Sequence, residues 1–126
     1  MAGGTHESSD TSLASYQAAI DELIRNSGGY WPVLSNLARL FEECGELARA
    51  VNLRDGEKRL KPGEARPDVE DELGDVFFVT IALANSLHID ADSALERAIA
   101  KVRLRTQVPS LNHSSEKEQV DHREAD

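Results

Sequence analysis

The sequence predicts an all-α domain, a bundle of helices around one core. Three observations carry this expectation. Apolar residues recur at helical spacing in four separate segments. Between them lie clusters rich in glycine, proline and polar residues, which break helices. No stretch alternates convincingly between apolar and polar residues as a half-buried strand would.

The first helix is expected from about Ser12 to Asn26, with Leu13, Tyr16, Ile20 and Leu23/Ile24 on one face. "NSGGYWP" then breaks the chain. The second helix runs from about Pro32 to Leu53, and a fixed φ suits Pro32 to the first turn. Leu34, Leu37, Phe41, Cys44, Ala48 and Val51 form one apolar stripe, read as the core face. On that stripe Cys44 reads as a small buried hydrophobe. "RDGEKRLKPGEARP" has two glycines, two prolines and no periodicity, so it is a loop. The third helix is expected from about Asp68 to Leu87, capped by Asp68. The fourth runs from about Ala91 to Arg105, with Asp90 as candidate cap. The helical domain is thus 12–106. Residues 1–11 and 107–126 are small, polar or charged, and are expected to be disordered.

Helix three carries more apolar surface than one short chain covers easily. Val69, Leu73, Val76, Thr80, Leu83 and Leu87 make one face, and Phe78, Val79 and Ala82 lie opposite. A helix apolar all round is buried all round. A second subunit is therefore expected over the Val79 and Ala82 side, giving a homo-oligomer. The alternative is that the first helix folds over it. Asn85, inside this apolar helix, needs a hydrogen-bond partner.

The 126 residues are enough for one domain, and 23 acids against 14 bases give a net charge of −9. That balance argues against a nucleic-acid partner, which would need a basic stripe. It leaves room for cations and for small substrates carried in with them. One cysteine excludes an intrachain disulfide and suits a reducing compartment. The N-terminus lacks the apolar run of a secretory signal, and "VFFVTIALA" (76–84) is too short to span a bilayer. The expectation is a cytoplasmic protein with no membrane association.

The acidic residues are placed unevenly. "EECGE" sets Glu42, Glu43 and Glu46 within one and a half turns, and "ELGD" sets Glu72 and Asp75 three apart. With the Leu37–Phe41–Ala48 stripe in the core, Glu42, Glu43 and Glu46 fall on the opposite side, which taken alone looks like a solvated face. Glu72 and Asp75 are different, because their face continues into Phe78, Val79 and Ala82. Unpaired carboxylates at the mouth of an apolar face are costly. Pairs on two adjacent helices are tolerable if divalent cations neutralise them, and hard oxygen ligands suit Mg²⁺ or Mn²⁺. A di-iron bundle would need Glu-x-x-His, and no histidine stands three residues after an acid in an expected helix.

The pair "EECGE" and "ELGD", with "LARLFEECGELARAVN" around the first half, resembles the EExxE…ExxD signature of the MazG-like all-α nucleoside triphosphate pyrophosphohydrolases. The likeness runs from about Gly29 to Arg105 and is strongest to the small single-domain members. It implies a four- to five-helix bundle assembled as a dimer or tetramer, and hydrolysis of a nucleoside triphosphate to the monophosphate and pyrophosphate by a metal-activated water. It implies Mg²⁺ (or Mn²⁺) held by Glu43, Glu46, Glu72 and Asp75, with Glu42 as a further ligand or water-orienting base beside Glu43. Lys101 and Arg105 align with a Lys-x-x-x-Arg pattern that would meet phosphate, though the dipole of a helix C-terminus also favours cations there. Lys58 and Lys61, with Arg59, can close over phosphates from the loop or simply be solvated. Trp31 can stack on a base or pack the start of helix two, and packing is favoured. Phosphoribosyl-ATP and dUTP hydrolysis are neighbouring activities. A non-catalytic helical adaptor is the alternative of another class.

Overall fold

The computed structural model describes residues 11–107. Both expected tails lie almost wholly outside them. Four helices follow in order: α1 Leu13–Asn26, α2 Val33–Asp55, α3 Val69–Ser86 and α4 Ala91–Gln107. No strand occurs among the described residues, and no single described helix is long and apolar enough to cross a membrane.

Local chemistry fixes the helix ends. Ser12 and Ser15 form a reciprocal capping box at α1, each hydroxyl accepting the other's backbone N–H at 3.2 and 3.0 Å. Gly28, at φ 106°, ends that helix, and the Gly29 N–H returns to the Ile24 carbonyl at 2.9 Å. Asp68 caps α3 by accepting the Glu70 N–H at 2.8 Å. The α3 exit has the same closure, from the Ile89 N–H to the Ala84 carbonyl at 2.9 Å, but His88 rather than glycine holds the left-handed position at φ 54°.

A polar clamp ties this exit to α1. The Gln17 amide donates to Asn85 Oδ1 and the Ile89 carbonyl, both at 2.9 Å, and accepts the Ala91 N–H at 3.0 Å. Asn85 Nδ2 donates to the Gln17 carbonyl at 3.0 Å and to the Tyr30 hydroxyl at 3.1 Å. Tyr30 passes its proton toward Asp21 at 2.6 Å. The Arg25 and Tyr30 hydrogen bonds hold the Asp21 carboxyl below its ordinary range. Asn85 therefore has the partners its place in an apolar helix demands.

Packing corrects three expectations. First, α2 and α3 form the most extensive helix pair, but α2 meets α3 with Asn36, Glu43, Ala50 and Leu53, the residues it buries. The Leu34–Phe41–Cys44 stripe is outside: Leu34 and Phe41 are 78% and 70% exposed, and Cys44 is exposed. The helix has two usable faces. The outer one is uniformly apolar, and the inner one carries the polar Asn36 and Glu43. Second, α1 itself lies on α3, where Ile20 packs with Ile81 and Ala82, flanked by Leu13 and Ile24. The Ala82 part of that face is thus covered within the chain, while Phe78 stays 40% exposed on it. Third, Trp31 does not pack the start of α2, being 61% exposed. α4 touches chiefly α1, and Leu95, Ile99, Val102 and Leu104 remain open along it, as does Phe77 on α3.

Candidate functional site

The inward line of α2 builds one wall of the site. Asn36, Arg39, Glu43, Leu47 and Ala50 are spaced three or four apart and so share a side of the helix. Glu43 is only 5% exposed, and Arg39 reaches it at 2.6 Å. A second guanidinium nitrogen of Arg39 bonds Glu42 at 3.2 Å. The facing wall is the first half of α3, where Glu72 and Asp75 stand one turn apart. One carboxylate oxygen from each of Glu43, Glu72 and Asp75 lies within 4.8 Å of the other two.

This cluster carries uncompensated negative charge. Burial first, then the charges of Glu46, Asp75, Glu43 and Asp71, push the Glu72 carboxyl above its ordinary range. Among the described residues Arg39 balances only the α2 side, and no ion pair reaches Glu72 or Asp75. The start of α3 offsets part of the repulsion through its helix dipole. Three converging hard oxygens, with negative charge left over, fit a divalent cation of the Mg²⁺ or Mn²⁺ type.

Glu46 is exposed and lies outside the three-oxygen group, yet it is near enough to act on Glu72. Glu42 also stands outside, turned to Arg39. Lys101 and Arg105 are exposed on α4, away from the α2–α3 pair. Lys58 and Lys61 are exposed in the 56–68 loop. Arg66 anchors that loop to the Leu53 carbonyl at 3.1 Å, and an Arg49–Glu64 pair at 3.2 Å holds it to α2. Within one chain, none of these four cations makes a contact with the carboxylates.

A cavity of about 320 Å³ adjoins the cluster, between α1, the start of α2 and the second half of α3. Leu23, Ile24, Trp31, Phe78, Val79 and Ala82 make it largely apolar, and Arg39 stands where it meets the acidic site. A second, more open cavity of about 620 Å³ lies by the Gln17–Asn85 clamp, and Trp31 borders both. Sequence reasoning missed Asn36 and Arg39. The signal was available: they stand seven and four positions before Glu43, on its side of the helix.

Comparison with known proteins gives one direction. The sequence model of the family described as the MazG nucleotide pyrophosphohydrolase domain matches residues 32–108. The uncharacterized protein YpjD of Bacillus subtilis (strain 168) is 45% identical over 98 residues, covering 77% of this chain and 88% of that protein. The crystal structure of B. subtilis YpjD, provisionally labelled a pyrophosphatase, superposes with a TM-score of 0.65 at 46% identity, over 74% of this chain and 96% of that one. The crystal structure of a Bacillus-conserved MazG protein, described as a nucleotide pyrophosphohydrolase, gives a TM-score of 0.64 at 40% identity, over 75% and 92%.

Proposed function

The chain belongs to the MazG nucleotide pyrophosphohydrolase family, and from that membership we propose that it hydrolyses standard, deoxy or damaged nucleoside triphosphates to the monophosphate and pyrophosphate with Mg²⁺ or Mn²⁺. The observation that carries this reading is the convergence of Glu43, Glu72 and Asp75 beside a largely apolar cavity. The cavity supplies what a nucleoside needs, and the carboxylates supply what a polyphosphate needs, which is a place for its counter-cations.

Glu43, Glu72 and Asp75 would hold the cation, with Glu46, one turn from Glu43, as a further ligand. When bound, the cation neutralises phosphate charge and makes an attacking water more acidic. The chain's own residues do the positioning that phosphoryl chemistry chiefly requires. Glu43 sits at the bottom of the site in a fixed place. Arg39 stands between cavity and carboxylates and meets the phosphate nearest the nucleoside, and Glu42 holds its guanidinium in place. Trp31, exposed at the rim of the cavity, closes over the base.

The protein works in the cytoplasm as a homo-oligomer. The support is the apolar surface left open on α2, α3 and α4, including Phe41, Phe77 and Val102. Lys101, Arg105, Lys58 and Lys61 then reach phosphate from a neighbouring subunit or not at all. The test is incubation with standard, deoxy and damaged triphosphates, dUTP and phosphoribosyl-ATP, each with Mg²⁺ or Mn²⁺. Pyrophosphate release from at least one is expected, and none from any overturns the proposal.

A further inference from the structure

We infer that Asn36, held in one orientation by Ser86, is a specificity-determining residue that selects bases carrying an exocyclic amino group, of the cytosine or adenine type, over their oxo counterparts. This rests on the proposed function and adds the class of base.

Asn36 is 8% exposed and lines the apolar cavity. Its Nδ2 donates to Ser86 Oγ at 3.0 Å, and Ser86 Oγ donates its single proton to the Ala82 carbonyl at 3.0 Å. A hydroxyl whose proton is committed can only accept from a further neighbour, so the amide nitrogen must face it. The other end of the amide, Oδ1, receives no hydrogen bond from any described residue. Among the described residues no side-chain oxygen or nitrogen sealed from solvent lacks a partner, so Oδ1 keeps an opening, and the cavity that Asn36 lines is the space it can open to. The cavity thus contains an acceptor that cannot turn into a donor.

Phe78, Val79, Ala82, Leu23 and Ile24 have no donor to offer, the Tyr30 hydroxyl donates to Asp21, and Arg39 turns two of its nitrogens to Glu42 and Glu43 and keeps the rest for phosphate. An amino group placed against Oδ1 gains a hydrogen bond. An oxo group there meets another acceptor, and both lose water without return. The geometry suits a nucleotide lying along α2. Asn36 and Glu43 are seven residues apart, about 10 Å of helix rise, with Arg39 between them.

The test compares kcat/KM for CTP against UTP and for ATP against ITP, with calorimetric binding of the α,β-imido analogue of each. The wild type should favour the amino member of each pair at least about tenfold. Ser86→Ala frees the amide to turn and should bring each ratio to within about threefold of unity, while Mn²⁺ affinity and melting temperature control for the fold. Asn36→Asp keeps an acceptor and should keep the preference. Equal kcat/KM within the wild-type pairs, a preference for the oxo member, or ratios unmoved by Ser86→Ala overturns the assignment while leaving the hydrolase reading intact. Failure to hydrolyse any triphosphate overturns both.

Discussion

Replacing Asn85 with leucine separates the scaffold from the chemistry. Asn85 makes three side-chain hydrogen bonds, at 2.9, 3.0 and 3.1 Å, joining α3 to Gln17 of α1 and to Tyr30. A net contribution of about 1 kcal/mol for each neutral bond gives about 3 kcal/mol as an upper figure. Part of that is recovered, because the site is only partly buried and water can reach the freed Gln17 groups. An expected loss of about 2 kcal/mol remains, and for a domain near 100 residues it lowers the melting temperature by about 8–16 °C. The clamp holds α1, and with it Leu23 and Ile24, over the cavity. The three carboxylates lie on α2 and α3 and do not depend on it. Asn85→Leu should therefore weaken nucleotide binding and stability but leave Mn²⁺ affinity within about twofold. Thermal melting at fixed subunit concentration, paired with Mn²⁺ calorimetry, checks both halves. A melting temperature unchanged within about 2 °C, or a Mn²⁺ site lost together with the clamp, would refute the reasoning.

Three further outcomes follow from the site and the open faces. Glu43→Gln or Asp75→Asn should lower Mn²⁺ affinity by at least about tenfold to a hundredfold, read by calorimetry; unchanged binding would favour a non-catalytic adaptor. The raised Glu72 carboxyl has a definite sign. Its folded pKa lies above the unfolded value, so the cation-free protein should lose stability as pH rises from the ordinary carboxylate range through that raised value, and Mn²⁺ should bind more tightly over the same rise because it displaces a proton. Melting and Mn²⁺ titrations from pH 4 to pH 7 check this, and a cation-free stability rising across that window would contradict it. Phe41→Glu or Val102→Glu, on the exposed faces of α2 and α4, should lower the mass seen by light scattering. A wild type that is a folded monomer at micromolar concentration would defeat the oligomer.

The helices were legible because their signals are local. Ser12, Asp68 and Pro32 mark starts, glycines mark the α1 exit, and every boundary fell within about two residues of expectation. The carboxylate pairing across two helices was legible from spacing, and Glu43, Glu72 and Asp75 do converge. The facing of α2 was misjudged. Periodicity finds the most apolar side of a helix, and here that side is outermost. The inner side is interrupted by Asn36, Arg39 and Glu43, polar because they line a site. The packing of α1 on Ile81 and Ala82 was the alternative to a partner subunit, and single-helix patterns hold nothing that decides between two candidates for the same apolar face.

The central claim is that these carboxylates support cleavage of a nucleoside triphosphate into the monophosphate and intact pyrophosphate. Phosphorus NMR of CTP incubated with the protein and Mg²⁺ tests it most directly. The account predicts CMP and pyrophosphate appearing in equal amounts, abolished by chelator and by Asp75→Asn. Orthophosphate with CDP as the first products, or turnover that survives Asp75→Asn, would contradict it.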